Sequence, residues 1–281
     1  MPTVDTLVED IQSLISDPKA FSEANIKSFG EALAQRLGYR LSETRGSGTL
    51  RVSNLGKPCD RQLWYDVHRS SDREPLPASA RLKFLFGDIL EELLLFLARE
   101  AGHDVKSEQS EITINGVTGH LDAIIDGRVV DVKSASTYAF KKFSEHGLQS
   151  DDPFGYLDQG SAYVYGSGDN PDLRDRDVVS FLAVDKQLGH LVLDTYPVTG
   201  KNYDKIVEDK RTMLSKEEPP ERAFQDEPFQ KGGNRKLCVT CSYCPFKFSC
   251  WENLRVFNYA NKPVFLTTVA KEPKVAETIG P

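Results

Sequence analysis

No stretch of this 281-residue chain approaches the roughly 18 uninterrupted apolar residues of a membrane span. The opening MPTVDTLVEDIQ also lacks the basic-then-apolar order of a signal peptide. A membrane or secreted protein is therefore not expected, and a soluble, cytoplasmic protein of enzyme size is. Cysteine is sparse and odd in number, five in all, too few for a secreted disulfide scaffold. Positive charge is in deficit. The 35 Lys and Arg face 42 Asp and Glu, and the formal net charge of −7 argues against a surface that coats nucleic acid throughout. Internal repeats are lacking too. What is present, 39% hydrophobic and 10% aromatic residues, suffices for a sizeable core in one large domain or two small ones.

Val4, Leu7, Val8, Ile11, Leu14 and Ile15 fall at helical spacing, and a second helical pattern runs from Phe21 to about Gly38. Ser42 to Gly48 reads as a loop. Cys59 to His68 suits a short helix, and a long one is expected from about Ser79 to Ala101, ended by Gly102. The character then turns to β, with strands expected over 111–114, 117–125 and 128–133. Helical patterning returns over 139–143 and 153–165; strands over 178–184 and 190–196 precede a helix near 202–214. The expected class is α/β, an α+β mixed sheet flanked by helices. Its expected division is a helical region 1–45, a main domain 46–258 and a loosely ordered tail 259–281 with three prolines.

The most informative stretch is Gly119-His-Leu-Asp-Ala-Ile-Ile-Asp-Gly-Arg-Val-Val-Asp-Val-Lys133. Asp126-Gly127 between apolar runs is a strong signal for a two-residue hairpin turn. Counting back from that turn sets Asp122 opposite Asp131, and His120 opposite Lys133. Leu121, Ala123, Ile125, Val130 and Val132 then share an apolar face. Directly opposed residues have Cβ atoms about 4.5–5.5 Å apart, where two carboxylates repel, and a divalent cation offsets the repulsion; oxygen ligands suit Mg²⁺ or Mn²⁺. The bland alternative is a solvated polar face with a Lys–Asp surface pair.

Asp122 followed by Asp131-Val132-Lys133 resembles the core of the PD-(D/E)XK nuclease superfamily. Phe86-Gly-Asp-Ile-Leu-Glu91 supplies a carboxylate on the preceding long helix, as that family requires. Gln159-Gly-Ser-Ala-Tyr163 matches the Gln-x-x-x-Tyr motif of RecB-like members, with both side chains on one helical face. Each motif is weak alone; four in the family's order make the resemblance specific. One departure stands out. Counted from Gly87, Glu91 takes the place of the family's histidine and Glu92 that of its glutamate. Glu91 is the expected ligand because it shares a helical face with Gly87, where a side chain is missing on the substrate's approach. Glu92 is the fallback, and His120 a partial substitute.

Cys238, Cys241, Cys244 and Cys250 lie within thirteen residues. By spacing alone they could bind Zn²⁺ and leave Cys59 over, or four thiolates, one of them distant, could hold a [4Fe–4S] cluster. The iron–sulfur members of the RecB-like nucleases, including AddB-type nuclease domains and the CRISPR-associated adaptation nucleases, have one cysteine before the core and a C-x₂-C-x₅-C triplet after it. The resemblance thus implies Cys59, Cys241, Cys244 and Cys250 as cluster ligands, with Cys238 extra. The cluster's implied role is to fasten the C-terminal segment over the nuclease core.

The resemblance spans roughly Cys59 to Cys250 and implies Mg²⁺- or Mn²⁺-dependent hydrolysis of DNA, exonucleolytic on single-stranded or frayed ends. Glu91, Asp122, Asp131 and the Val132 carbonyl would hold the metal, and Lys133 would orient a water. Gln159 would bond that lysine or the water, and Tyr163 would contact a phosphate. The overall look suggests a phage-encoded member acting in recombination or genome processing; protein partners are unknown. A DNA path is expected along Arg61, Arg69, Arg81, Lys83, Lys141, Lys142, Lys231, Arg235 and Lys236, with about a third of them touching DNA. Trp64, Tyr65 and Tyr138 could stack on bases, although core packing is the stronger expectation for Trp64. The rivals are a non-cutting nucleic-acid-binding or assembly protein of this fold and a zinc-ribbon interaction module.

Overall fold

The structure is a computed structural model that describes residues 2–17, 21–42, 48–260 and 262–278. Helices α1 (Leu7–Ser16), α2 (Glu23–Ser42), α3 (Val52–Leu55), α4 (Asp60–His68) and α5 (Ala78–Glu100) come first. Five strands follow: β1 (Val105–Lys106), β2 (Glu111–Ile114), β3 (Val117–His120), β4 (Ala123–Ile125) and β5 (Arg128–Ala135). Then come α6 (Thr137–Ser144), α7 (Tyr156–Gly166), β6 (Asp175–Asp185), β7 (Leu191–Pro197) and α8 (Tyr203–Leu214). The chain continues through β8 (Glu227–Phe229), β9 (Asn234–Lys236), α9 (Val239–Ser242) and α10 (Lys247–Cys250). It closes with β10 (Arg255–Tyr259), β11 (Lys262–Thr268) and β12 (Glu277–Thr278). Most of the loop expected over 42–48 lies outside the described residues. No described helix is long and apolar enough to cross a membrane.

The chain divides into two units. Among the described residues, the first comprises 2–17, 21–42, 50–57 and 76–208, and the second 48–49, 58–75, 209–260 and 262–278. The boundaries expected at 45 and 258 are therefore corrected. Leu7 and Ile11 of α1 are fully buried with Leu94 and Leu95 of α5, which puts the N-terminal helices in the sheet-bearing unit. The segment carrying Cys59 belongs with the C-terminal strands instead.

In the first unit a mixed sheet runs in the order β1-β4-β5-β6-β7, with β5 and β6 parallel and the other neighbours antiparallel. The parallel pair needs a crossover, and α6 and α7 supply it. Both faces are covered, so the central strands are apolar at successive positions. Ala123, Ile125, Val130, Val132 and Leu182 pack with α1 and α5, while Ile124, Val129 and Phe181 pack with Phe143 of α6 and with Ala162 to Val164 of α7.

The Asp126-Gly127 turn forms as its sequence predicts: both residues have positive φ, 50° and 89°, and Ile125 sits opposite Arg128. Gly127 also admits Arg174, whose Nε would lie 2.4 Å from a Cβ at that position. The strand expected over 117–125 is broken. The N–H of Leu121 donates to the Ser110 carbonyl and that of Gln109 to the Asp122 carbonyl, so β3 pairs with β2 and β4 begins only at Ala123.

In the second unit an antiparallel sheet runs β12-β10-β11-β9-β8. The tail expected to be loose instead supplies β11 and β12, with Leu266 fully buried. Trp64, Tyr65 and Phe246 form this unit's own apolar cluster, with Cys244 and Cys250 at its edge.

Candidate functional site

In the first unit the sheet brings Asp131 to a position only 2% exposed, in a strand otherwise filled by Val129, Val130 and Val132. Lys133, two residues on and on the same face, pairs directly with it. The Lys133 ammonium also sits over the Tyr156 ring, 4.9 Å from its centroid. Asp122 lies just outside β4, one residue beyond the last ladder pair, Ala123–Val130, and close enough to Asp131 to feel its charge. Asp122 Oδ2 accepts a 2.8 Å hydrogen bond from the Val132 N–H. His120 is corrected: the β2–β3 pairing sets it opposite Glu111, not Lys133. Leu121 leaves the face assigned to it and packs with Ile124 and Val129.

Glu91 reaches the same neighbourhood from α5. Gln109 Nε2 donates to Glu91 Oε1 at 2.6 Å and, more weakly, to Asp122 Oδ1 at 3.5 Å. Arg36 of α2 forks across both candidate glutamates, pairing with Glu91 through Nη2 and with Glu92 through Nε at 3.1 Å. Arg40, one turn on, grips Asp88 at 2.7 and 2.8 Å. Gly87 is half-buried, and its missing Cβ faces Ser134 Oγ at ordinary contact distance.

Burial, with the nearby Asp122 charge second, pushes Glu91 up to about 8, and burial with the Asp131 charge pushes Asp122 up to about 7. Burial opposes the Lys133 charge, yet Asp131 and Asp122 hold its pKa above the ordinary value. The carboxyl groups of Glu91, Glu92, Asp122 and Asp131 outnumber the cations Arg36 and Lys133, and that imbalance suits a divalent ion. Among the described residues, however, no three His, Cys, Asp or Glu side chains are gathered as a single ion's shell needs. Each carboxylate is held by a donor of the chain itself.

Asp152 accepts from the N–H groups of Tyr156 and Leu157, 2.9 Å each, and starts α7 at Gly155. Gln159 Nε2 donates to the Tyr163 hydroxyl at 2.7 Å, so the two motif residues engage one another. Tyr163 is buried in the core, within reach of the charges of Asp131, Asp122 and Lys133.

In the second unit Cys59 stands at the N-cap of α4, and Cys59, Cys241, Cys244 and Cys250 line one cavity while Cys238 does not. The backbone of Cys59 is extended, and its side chain accepts no capping hydrogen bond from α4. Burial raises the Cys59 and Cys241 thiols and pushes Cys244 up to about 11. Part-buried thiols raised in this way, as at Cys59, Cys241 and Cys244, ionise more readily beside a strong positive partner, and iron is such a partner.

Most of the expected DNA-path cations are engaged locally. Arg61 bonds Pro220 and Tyr65, Arg69 lies over Trp64 and Tyr65, and Lys141, Lys142, Arg235 and Lys236 pair with neighbouring carboxylates. Trp64 and Tyr65 are buried, with Trp64 Nε1 donating to the Lys216 carbonyl at 2.8 Å, so neither is open for base stacking. Tyr138 is 81% exposed and remains available.

No family model matches this chain, and no curated protein does. Among solved structures it is similar to one described as the crystal structure of SSO0001, at a TM-score of 0.42 and 18% identity. That match covers 79% of this chain and 95% of the other. The similarity assigns no function.

Sequence reasoning missed Arg36, Gln109 and Tyr156. Tyr156, Gln159 and Tyr163 share one face of α7 at i, i+3 and i+7, a signal that was there to be found. Arg36 and Arg40 form an i,i+4 basic pair, which ordinarily marks a solvated face. Gln109 carries no local signal.

Proposed function

We propose that the first unit is a PD-(D/E)XK-like metal-dependent deoxyribonuclease core, and that the second unit holds a [4Fe–4S] cluster on Cys59, Cys241, Cys244 and Cys250. The observation that carries the nuclease assignment is the Asp131–Lys133 pair on β5, with Asp131 near enough to raise the proton affinity of Asp122, and Asp122 near enough to raise that of Glu91. Glu91, Asp122 and Asp131 would hold Mg²⁺ or Mn²⁺, with the Val132 carbonyl as a further ligand. The ion would polarise a DNA phosphate and acidify an attacking water. Lys133, steadied by Tyr156, orients that water and neutralises charge that develops on the phosphate. Gln159 and Tyr163 brace the same wall through their mutual hydrogen bond. Arg36 now neutralises Glu91 and Glu92, so metal entry requires it to withdraw or share.

Single-stranded or frayed ends are the proposed substrate, on the strength of the RecB-like motifs. Support for the cluster comes from Cys59, not Cys238, completing the cavity; this also weakens the zinc-ribbon alternative. The Arg36 fork favours a second reading, a non-cutting DNA-binding protein in which guanidinium stands permanently in place of metal. Digestion of end-labelled DNA with free and blocked termini separates the two. Shortening from free ends with Mn²⁺, abolished by chelator, supports the nuclease; binding without cleavage under any divalent ion supports the alternative.

A further inference from the structure

Arg61 stands second in α4, two residues after Cys59, and its side chain lines the thiol cavity. Two of its three nitrogens are engaged: Nη1 donates to the Pro220 carbonyl at 2.6 Å and Nη2 to the Tyr65 hydroxyl at 3.3 Å. These bonds, and the Tyr65 ring 5.5 Å from Cζ, fix the guanidinium plane. Nε is buried and has no hydrogen-bond partner among the described residues. A buried charged donor left unpaired carries a desolvation cost that folded chains seldom leave uncompensated. Lys247 lines the same cavity, but its charge is already met by Glu74. Arg61 forms no ion pair among the described residues, so its positive charge is available to the cavity.

We propose that Arg61 Nε donates a hydrogen bond to a sulfur of the cluster and thereby raises the cluster's reduction potential. The inference rests on the cluster assignment made above and adds a positioning residue to it. In the one-electron couple, [4Fe–4S]²⁺ takes an electron from an external reductant and becomes [4Fe–4S]⁺, with no bond formed or broken. With four thiolates the assembly passes from a charge of 2− to 3−. A fixed N–H donor and a cationic guanidinium stabilise the more negative state, because hydrogen bonds to the sulfurs and local charge are the protein's levers on such potentials. The four thiol ligands alone do not account for an Arg that lines the cavity, is held in place by two bonds and keeps its third donor buried and unpartnered.

The test uses the anaerobically purified full chain, assayed for iron and sulfide and titrated with dithionite while the reduced cluster is followed by EPR. Arg61→Lys retains a charge but lacks Nε–H, and Arg61→Gln removes the charge. At iron and sulfide contents equal to the parent's, reduction of either variant becomes about tenfold less favourable, a shift of about 59 mV to more negative potential for one electron. An unchanged potential in cluster-replete variants overturns the inference and leaves the cluster assignment standing. Zinc in place of iron in the parent overturns both. Should a variant lose its cluster, pulsed EPR of the reduced parent with ¹⁵N-labelled Arg Nε decides the matter. A resolved ¹⁵N coupling supports the bond, and its absence rejects it.

Discussion

Arg36 is where the candidate site departs most from expectation, because one guanidinium spans the two glutamates between which sequence reasoning had to choose. Removing it leaves part-buried carboxylates without their cation. The metal-free Arg36→Ala protein should lose about 3 kcal/mol of stability. Its Mn²⁺ affinity, read by calorimetry, should rise, since the ion no longer competes with guanidinium; an unaltered affinity would show that Arg36 and metal do not share the site. The raised carboxyls predict a pH dependence as well. Glu91 and Asp122 bind protons more tightly folded than unfolded, so without metal, stability falls as pH rises from the ordinary carboxylate range through about 7 and 8. Mg²⁺ requires the ionised groups, so its stabilising effect should grow over the same window. Melting curves with and without Mg²⁺ check this, and a metal effect independent of pH would contradict it. At this scale the ligand candidates were legible because Asp-x-Lys and Gln-x-x-x-Tyr are local patterns. Their partners were not, because the Arg36–Glu91 contact joins residues 55 positions apart.

Among elements, α5, the Asp-Gly turn and the β6–β7 pair were readable from period and turn chemistry. The break between β3 and β4 was not. With both sheet faces buried, Leu121 and Ile124 are equally at home in the core, so alternation does not mark where one strand stops. The prolines after Asn258 likewise hid β11, whose Val264-Phe265-Leu266-Thr267-Thr268 run has strong β character. Placement of α7 depends on Gly155, with φ at 74°, where an added Cβ would meet the Gly56 carbonyl at 2.0 Å. Gly155→Ala should therefore cost more than about 1 kcal/mol in a denaturant melt. It should also lower activity by shifting Gln159 and Tyr163 together. Wild-type stability in that variant would mean the close approach relaxes freely.

For the whole molecule, the division into two units reassigns both ends of the chain. The N-terminal helices complete the carboxylate-bearing unit, and Cys59 shares a unit with the C-terminal thiols. The net charge of −7 also takes on a local meaning, since four of the acidic residues crowd one site. Because Cys59 lines the cavity and Cys238 does not, Cys59→Ser should purify without the brown chromophore and with depleted iron, whereas Cys238→Ser should keep both. The reverse pattern would move the ligand set to Cys238. The nuclease assignment faces its most direct test in one comparison, the initial rate of Mn²⁺-dependent hydrolysis of end-labelled single-stranded DNA by the parent and by Lys133→Ala. The account predicts a loss of about 10²-fold or more with DNA binding retained. A Lys133→Ala protein that degrades DNA as fast as the parent would contradict it.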